Sequence, residues 1–370
     1  MALQLAIEAF GVRHGGAATV LSDLLEATLQ DDHFSRIYVF CSSQSERLFE
    51  MPQSDRIVEV RVPFAEANRV YRWWWLEHGL RDALLRLGAD VYLSLCGAGL
   101  PGVSVPHMTF IQQSLPFSSE AQSSMGLASR LRYKAILGAM KRSCRASRGV
   151  IVQTNVMQRM VGDTFRIPSE RIHVIPPTVG IFAPGLPSSQ LLPMRRAKSG
   201  YRLLYVGNDS HYKNVDLLVR AAPALKRRYP EIAIFLTFPL DHPAQRIDGV
   251  ECLGYLRQPV LSEAYGLADV LVMPSLQETV GLPLVEAMTA GVPVLAADRP
   301  YAREVCEDAA LYFDPLVESS FMAVVGALME NASLRTNLVA KGIAQSGKRR
   351  DGQPYARIVH LLSLAAAQGL

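Results

Sequence analysis

Short apolar runs alternate with amphipathic helical segments along the 370 residues, and this alternation constrains the fold more than any other feature. In the first half, apolar runs predict strands at residues 3–10, 36–41, 57–62, 90–95, 108–112, 149–153 and 173–175. The second half predicts further strands at 201–206, 232–237, 250–253, 270–274 and 293–296. Strands that alternate with helices are typical of parallel sheets covered on both faces. The sequence therefore predicts two doubly wound (Rossmann-like) α/β domains in tandem.

Residues 182–200 interrupt the alternation, because they hold Pro184, Pro187 and Pro193, several serines and no periodic apolar stripe. This composition is typical of an interdomain linker. We therefore divide the chain into an N-terminal domain at 1–182, a linker at 183–200 and a C-terminal domain at 201–348. We expect the C-terminal helix, residues 349–370, to pack back on the N-terminal domain. Since ligands of open α/β sheets bind outside the carboxyl ends of the strands, the two domains would face a cleft.

The composition excludes several classes of protein. The chain is 49% hydrophobic and 19% charged, which is too apolar for a disordered polyelectrolyte. Its five cysteines form no C-x-x-C pair and have no histidine at metal spacing, so we predict reduced thiols rather than disulfides or a zinc site. We identify no signal peptide, and the longest apolar runs, about ten residues, are too short to span a membrane. These features predict a cytoplasmic protein.

Residues 270–298 carry most of the recognisable chemistry. A strand that ends at Pro274 is followed by a polar loop and by a helix whose first turn holds Pro283, where the missing N–H is tolerated. Gly281 lets a phosphate approach the backbone closely, and the helix dipole favours an anion there. The residues that would offer backbone N–H groups are Thr279, Val280, Gly281 and Leu282.

Two carboxylates, Glu278 and Glu286, flank this predicted anion site. A carboxylate beside a phosphate is electrostatically costly unless it accepts hydrogen bonds from neutral hydroxyls. The pair therefore indicates a ligand with both phosphate and sugar hydroxyls, such as a nucleotide sugar. The alternative is that Glu278 caps the helix and Glu286 is a solvated helix residue.

The surrounding residues resemble the donor-binding region of retaining GT-B glycosyltransferases of family 4, which have a Glu-x7-Glu motif in this context. The matching positions are Pro274, Ser275, Glu278, Gly281, Leu282, Pro283, Glu286, Ala287, Met288, Gly291, Pro293 and Val294. The pattern continues at Asp298, Glu304-Val305 and Tyr312-Phe313-Asp314-Pro315. The resemblance covers essentially the whole C-terminal domain and is looser in the N-terminal one.

Upstream, Tyr205-Val206-Gly207 followed by Lys213-Asn214 resembles the start of the family's C-terminal domain. The family usually places two basic residues on the donor diphosphate, and Lys213 matches the second of them. Asn208 stands at the position of the first, so this chain departs from the family there unless Arg13, His14 or His211 substitutes. The alternative for Lys213 is an ordinary surface lysine.

In the N-terminal domain, Gly15-Gly16 between the first strand and the first helix resembles the family loop that approaches the donor phosphate or the acceptor. A tight turn would give the same sequence. Gln112 stands where many members have a histidine beside the reacting centre; its carbonyl could accept a hydrogen bond from a sugar hydroxyl, or it is plain loop structure. His107, five residues earlier, is not assigned a catalytic role.

The resemblance implies transfer with retention at the anomeric carbon through an oxocarbenium-like transition state. Lys213 and the N–H groups of the helix start would stabilise the leaving diphosphate, Glu278 would orient the donor sugar and Glu286 would bind the ribose hydroxyls. We predict no cofactor and no metal, because the Asp-x-Asp metal–diphosphate motif of the other major glycosyltransferase fold does not occur.

Residues 121–162 carry eight basic side chains and no acidic one. The chain as a whole has a formal charge of +4, so the remainder is slightly acidic. On a helical wheel, five of the basic residues cluster within about 60°: Arg130, Lys134, Lys141, Arg145 and Arg148. This predicts a basic amphipathic helix that contacts an anionic membrane or the acceptor, the alternative being a solvated face.

All three tryptophans are consecutive, at Trp73, Trp74 and Trp75. Successive helical residues point about 100° apart, so the three cannot all face one core, and at least one should be partly exposed.

The leading hypothesis is a hexosyltransferase, with mannose a fair guess for the sugar, that uses a GDP- or UDP-linked donor. The acceptor would be a lipid-linked or growing surface polysaccharide, such as O-antigen, capsule or exopolysaccharide, at the inner face of the membrane. The loop 112–117 resembles members of that group. The alternatives are a sugar-nucleotide epimerase, a sucrose-synthase-like enzyme, or a nucleotide-sugar-binding protein without catalysis. No nucleic-acid partner is predicted.

Overall fold

The structure, a computed structural model, describes residues 2–12, 15–41, 51–62, 69–95, 97, 105–123, 125–177, 187–348 and 353–367. The chain forms two compact units. The first unit contains Met1–Ser119, Ser124–Pro177 and Gly352–Leu370, and the second contains Glu120–Ser123 and Thr178–Asp351.

The first unit is built on a seven-stranded parallel sheet in the order β3-β2-β1-β4-β5-β6-β7. Its strands are β1 (Leu3–Ala9), β2 (Phe34–Cys41), β3 (Ile57–Arg61), β4 (Val91–Ser94), β5 (His107–Phe110), β6 (Gly149–Val152) and β7 (Ile172–Val174). The strand order reverses direction between β1 and β4, which defines the switch point of a doubly wound sheet.

The second unit is built on a six-stranded parallel sheet in the order β10-β9-β8-β11-β12-β13. Its strands are β8 (Arg202–Tyr205), β9 (Ala233–Leu236), β10 (Val250–Cys252), β11 (Val270–Met273), β12 (Val294–Ala297) and β13 (Ala310–Phe313). Here the switch point lies between β8 and β11, which pair directly through Leu203 with Val270 and Leu204 with Leu271.

The helices among the described residues are α1 (Gly16–Leu29), α2 (Arg69–Trp74), α3 (Leu80–Leu87), α4 (Ser119–Gln122), α5 (Leu127–Ala146), α6 (Asn155–Phe165), α7 (Leu192–Arg196), α8 (Asp216–Arg228), α9 (Gln258–Leu267), α10 (Leu282–Thr289), α11 (Pro300–Cys306), α12 (Glu318–Glu330), α13 (Ala332–Gly347) and α14 (Pro354–Ala367). One π-helical turn, Trp75–Gly79, joins α2 to α3. Short 3₁₀ turns occupy Leu115–Phe117, Ser169–Arg171, Ser189–Leu191, His211–Lys213 and Pro243–Arg246.

Both sheets are buried on both faces, as the near-continuous apolar runs predict. The central strands β4, β5, β6, β11 and β12 are buried at every residue. In the second unit, alternate residues of β8 belong to opposite cores: Leu203 packs in one and Leu204 in the other. The prediction of two doubly wound α/β domains is therefore confirmed.

The predicted linker, 183–200, contains regular secondary structure in its described residues. Residues 189–196 form a 3₁₀ turn and the short helix α7 of the second unit. Leu191 and Met194 are fully buried against α9 and the neighbouring strands. Both elements are short, the longer being little more than one helical turn, so the segment shows no apolar periodicity that would predict a helix. Its prolines and serines therefore dominate the sequence pattern.

The last helix of the chain, α14, belongs to the first unit. It packs against α1, β4 and β5 and adds six residues to the core of that sheet: Tyr355, Ile358, Val359, Leu362, Ala365 and Ala366. The first unit is therefore completed by a segment that lies beyond the whole of the second unit in sequence.

Among the described residues, no helix is long and apolar enough to cross a membrane. The cysteines that the structure describes, Cys41, Cys144, Cys252 and Cys306, are all buried and form no disulfide with one another. Cys96 lies outside the described residues.

The packing of α14 on α1 generates a prediction about pH. Burial, together with the neighbouring Glu26 carboxylate, raises the pKa of Asp23 on α1 to about 6, although the Tyr355 hydroxyl of α14 lowers it. The folded state thus holds this proton more tightly than the unfolded chain does. Ionisation of Asp23 therefore destabilises the fold above about pH 6, and the effect disappears below about pH 4.

We expect Asp23→Asn to raise the free energy of unfolding by about 1–2 kcal/mol near neutral pH, once the partial solvent exposure of the site is considered. Thermal unfolding followed by circular dichroism should show that this gain in the free energy of unfolding shrinks as the pH falls from 6 to 4. The matched control is Asp32→Asn at an exposed position, for which we expect no pH-dependent gain. Equal gains from both variants at all pH values would contradict the prediction.

Candidate active site

The candidate site lies at the switch point of the second sheet. The loop after β8 and the loop after β11 both leave the carboxyl ends of their strands, and these strands are direct neighbours. A backbone hydrogen bond from the Leu276 N–H to the Tyr212 carbonyl, 2.8 Å long, joins the two loops. Ligands of open α/β sheets bind at such a point.

The loop after β8 depends on Gly207. Its φ is +155°, and a Cβ at this position would come within 2.6 Å of the Tyr205 hydroxyl oxygen. Tyr205 is fully buried and donates a hydrogen bond to the Asn208 carbonyl (2.8 Å), so its ring is held in place. The Thr237 hydroxyl bonds both the N–H and the carbonyl of Gly207. A glycine is therefore required for the chain to turn here.

Asn208 has a local structural contact in this loop. Its side-chain oxygen accepts a hydrogen bond from the Ser210 N–H at 3.0 Å, which is an Asx turn. The residue itself is exposed. The Asn208 side chain, which stands where the resemblance predicts a basic residue, thus shapes the loop. Of the three substitutes considered from the sequence, His211 is exposed and opens the same 3₁₀ turn as Lys213, while Arg13 and His14 lie outside the described residues.

Lys213 and Glu278 form the central contact of the site. The Lys213 Nζ donates to the Glu278 Oε1 over 2.6 Å, and the two side chains are only 13% and 12% exposed. Burial opposes the charge on Lys213, but Glu278 and Tyr212 outweigh it, so the pKa of Lys213 is raised. Lys213 therefore carries its positive charge at neutral pH, held against a carboxylate from the neighbouring loop. It is not a surface lysine.

Helix α10 begins directly after this pair. Its N-cap is Gly281, with a φ of +77°, which has no side chain to cap the helix. Glu278 is therefore not the N-cap residue, and its Oε1 accepts a hydrogen bond from Lys213 instead. Val280 is buried, and Thr279 and Leu282 are half-buried beside the helix start. The eight-residue helix thus presents its N-terminal end next to the Lys213–Glu278 pair.

Glu286 lies inside α10 and is almost completely buried, so it is not a solvated helix residue. Its Oε2 accepts a hydrogen bond from the Tyr265 hydroxyl on α9 at 2.7 Å. Burial raises the pKa of this carboxyl, and the bond from Tyr265 opposes that shift. A buried acidic group with one oxygen fixed by a neighbour is suited to fixed, directional hydrogen bonding with its other oxygen.

Three further residues hold this arrangement together; sequence reasoning missed two of them and noted Asn214 only as part of a resemblance. Tyr265 fixes Glu286, and the Tyr301 hydroxyl donates to the Ser275 carbonyl at 2.9 Å, where the loop leaves β11. Asn214, at φ +53°, donates from its amide to the Pro315 carbonyl at 2.8 Å. Only Asn214 carried a sequence signal, because asparagine tolerates the left-handed region at the start of a helix.

The residues predicted in the first unit lie at carboxyl ends of its strands. Gly15 has a φ of +69° and is the N-cap of α1, which begins at Gly16, in the loop that follows β1 at the switch point. Gln112 follows β5 by two residues and is half-buried; its Nε2 is buried without a hydrogen-bond partner among the described residues. His107 opens β5, at the opposite end of the strand, and burial lowers its pKa.

The basic residues predicted for the membrane or acceptor lie in the first unit on and beyond α5. Arg130, Lys134 and Arg145 are exposed, and Lys141 is half-buried. The helix ends at Ala146 and Ser147 is extended, so Arg148 is not on the helix face predicted for it. The sequence does not indicate that the helix ends at Ala146, because no proline follows it and the next strand, β6, begins only at Gly149.

Two doubly wound parallel-sheet α/β domains in one chain are the architecture of a GT-B fold. Residues 14–181 match the family model described as "Glycosyltransferase Family 4", and residues 200–331 match that of "Glycosyl transferases group 1". The chain belongs to these GT-B glycosyltransferases.

Among named relatives, the chain is 32% identical over 161 residues to an O-antigen chain mannosyltransferase B of Escherichia coli, covering 40% of this chain and 42% of that protein. It is 31% identical over 142 residues to a D-inositol 3-phosphate glycosyltransferase of Pseudarthrobacter chlorophenolicus, covering 34% of each. The matches thus span between a third and a half of these relatives.

Solved structures resemble the fold over nearly the entire chain. A sucrose-phosphate synthase from Thermosynechococcus elongatus superposes with a TM-score of 0.76 at 15% identity, covering 100% of both chains. WaaG, a glycosyltransferase involved in lipopolysaccharide biosynthesis, superposes with a TM-score of 0.70 at 19% identity, covering 99% of this chain and 98% of that one. At this identity the likeness establishes the fold.

The contact between Tyr265 and Glu286 predicts a stability effect. Tyr265→Phe removes a donor from a buried carboxyl and keeps the ring, so we expect a loss of about 1–2 kcal/mol in the free energy of unfolding. Urea unfolding of the full chain measures it. Tyr255→Phe, at a half-exposed tyrosine of the same unit, is the control and should change stability by less than about 0.5 kcal/mol. Equal effects of the two variants would show that the Glu286 contact contributes nothing.

Proposed function

We propose that this protein is a retaining, metal-independent hexosyltransferase that moves a sugar, mannose being the first candidate, from a GDP- or UDP-linked donor to a saccharide acceptor. The observation that carries the proposal is the buried Lys213–Glu278 pair, placed beside the N-terminal end of α10 at the switch point. The membership in the GT-B glycosyltransferases supports the reaction type.

In the site as it stands, Lys213 and Glu278 neutralise each other at 2.6 Å. A donor would replace this contact with two new ones. Its diphosphate would attract the Lys213 ammonium and the backbone N–H groups of residues 279–282, while Glu278 would accept hydrogen bonds from hydroxyls of the donor sugar. Neither charge would be left unpaired in a poorly solvated place, where an uncompensated charge is costly.

The same contacts supply what glycosyl transfer demands. As the bond from the anomeric carbon to the diphosphate oxygen breaks, negative charge grows on the leaving group and positive charge on the sugar ring. Fixed donors at the diphosphate stabilise the first, because they need no reorganisation during the step. The half-buried Glu278 carboxylate holds the sugar, and Glu286, fixed by Tyr265, would hold the ribose hydroxyls.

Metal independence rests on the donor set in the sequence: a fixed lysine and backbone N–H groups stand where the other major fold uses an Asp-x-Asp motif with a cation.

The acceptor is proposed as a lipid-linked or growing surface polysaccharide, such as O-antigen, capsule or exopolysaccharide. The support is the similarity to O-antigen chain mannosyltransferases of Escherichia coli and Salmonella typhimurium. The protein would act at the cytoplasmic face of the membrane. The first unit would contribute Gln112, which would accept a hydrogen bond from a sugar hydroxyl. It would also contribute Gly15 and Gly16, in the loop that would approach the donor phosphate or the acceptor.

A donor screen tests the proposal. We expect one class among UDP-, GDP- and ADP-sugars to raise the melting temperature strongly, since binding at 100-fold excess over Kd adds about 2.7 kcal/mol. EDTA should leave both this stabilisation and transfer unchanged. Lys213→Met, as a matched variant, should lose the stabilisation. If no nucleotide sugar stabilises the folded protein, the proposal is wrong; conversion of the donor alone into another nucleotide sugar would favour an epimerase.

The role of Glu278 has a separate test. We expect Glu278→Ala to lower kcat about 100-fold or more, because the sugar loses its fixed acceptor, while circular dichroism stays native. Asp248→Asn, at an exposed carboxylate of the same unit, should retain activity within about two-fold. Unchanged turnover in Glu278→Ala would mean that Glu278 only balances the charge of Lys213.

A further inference from the structure

Three aromatic side chains follow one another along the segment between β3 and β4. Tyr71 and Trp74 lie on α2, and His78 lies on the π-helical turn Trp75–Gly79. The ring centroids of Tyr71 and Trp74 are 5.7 Å apart and those of Trp74 and His78 are 5.5 Å apart, with the ring planes inclined by 33° and 17°. We call these three residues the aromatic stripe. It extends about 10 Å along the helix axis, since each residue rises about 1.5 Å.

Trp74 is the exposed centre of the stripe. Its exposed fraction is 48%, which confirms that the consecutive tryptophans are not all buried. His78 is also exposed, and Tyr71 is half-buried. A contiguous aromatic patch, unlike a single exposed side chain, is typical of a binding surface.

The next residue, Trp75, anchors the stripe at one edge of the first sheet. Its buried ring packs against Phe10 at 5.2 Å and against Phe40 at 5.5 Å between ring centroids. Phe10 directly follows β1, and Phe40 lies near the end of β2. A Cβ on Gly79 would come within 2.5 Å of the Trp75 ring, so the π-helical turn needs a glycine there. The stripe therefore begins beside the carboxyl ends of the strands, where ligands of open α/β sheets bind, and on a turn of a kind that recurs at functional sites.

Polar groups flank the stripe on the same turn. The His78 Nδ1 lies 3.1 Å from the Trp74 carbonyl oxygen. Since a carbonyl only accepts, Nδ1 carries the proton of the neutral ring and Nε2 is an acceptor. The Glu77 Oε1 accepts a hydrogen bond from Arg142 of α5 at 2.7 Å, and its Oε2 is not used in that contact. A flat apolar surface is thus combined with fixed hydrogen-bonding groups.

From this combination we propose that the aromatic stripe is a saccharide-binding site, on which pyranose rings of the acceptor stack. The inference deepens the proposed function, on which it rests for its purpose. The stripe would hold a sugar residue of a growing chain other than the residue that reacts.

The chemistry favours a saccharide over a phospholipid surface. A pyranose ring presents C–H groups on its faces and hydroxyls at its rim. A face suits the Trp74 indole, and the hydroxyls suit His78 and Glu77, because hydrogen bonds to a carboxylate are stronger than those between neutral groups. An anionic leaflet would instead repel the Glu77 carboxylate. The length of the stripe gives room for more than one sugar ring, which predicts a preference for oligosaccharides.

The test uses linear mannotetraose and maltotetraose, mannose being chosen because the named relatives include O-antigen chain mannosyltransferases. All the tryptophans of the chain are at 73–75, so intrinsic tryptophan fluorescence reports on this segment alone. We expect a tetrasaccharide to change this fluorescence in a saturable way in the full-length protein without donor. The corresponding monosaccharide should bind at least about 10-fold more weakly, because it occupies only part of the stripe.

Calorimetry with the same tetrasaccharide compares the variants, because Trp74→Ala removes one of the fluorophores. Trp74→Ala should weaken binding about 10-fold or more, as expected when a flat ring loses an aromatic stacking partner. Trp74→Phe keeps an aromatic ring and should weaken binding less. The matched control is Leu364→Ala, at an apolar side chain of α14 in the same unit that is 46% exposed; its binding should stay within about two-fold of wild type.

The absence of a response to both tetrasaccharides in wild type would overturn the proposal. So would unchanged binding by Trp74→Ala, or equal losses in Trp74→Ala and Leu364→Ala. A fluorescence response to phospholipid vesicles with none to the saccharides would also overturn it and assign Trp74 to a lipid surface.

Donor stabilisation of the melting temperature is measured on every variant without saccharide. It should be unchanged in Trp74→Ala, so failure of the saccharide site is distinguishable from failure of the proposed reaction.

Discussion

The contact between Lys213 and Glu278 depends on one constraint of the fold: β8 and β11 are parallel neighbours at the point where the strand order reverses. Their two loops leave the same edge of the sheet, and the backbone bond from Leu276 to Tyr212 keeps them side by side. Gly207 and Gly281, both with positive φ, let each loop turn tightly enough for a lysine from one and a glutamate from the other to meet. Strand order thus decides which charges become partners.

The surroundings of this pair explain how the acidic groups are tolerated. Glu278 is balanced by a lysine, whereas Glu286 is held by the neutral hydroxyl of Tyr265 and has a raised pKa because it is buried. The two glutamates of one motif therefore sit in different electrostatic environments eight residues apart. This difference agrees with separate roles for the two residues. Glu278 lies beside a charged group, whereas Glu286 lies in a less solvated environment, where the direction of its hydrogen bonds matters more.

Sequence patterns predicted the two domains and the two loops of the site, because burial on both faces leaves long apolar runs and because glycine and proline mark turns. They missed β13, which is only half-buried in its middle residues, and α6, whose apolar stripe is short. They also predicted a linker at residues 189–196, which form a 3₁₀ turn and α7. They placed Arg148 on α5, which ends at Ala146. The partners Tyr265 and Tyr301 could not be predicted, since they depend on which distant elements pack together rather than on local spacing.

The position of α14 has a consequence for how the protein is made. Six buried residues of the first core are synthesised only after the whole second unit. Domains usually fold in order as the chain emerges, but here part of one apolar face of the first sheet stays uncovered until α14 has been synthesised. The nascent first unit would therefore need protection from aggregation during that interval. A chain that stops before α14 would lose part of the core of the domain that is synthesised first.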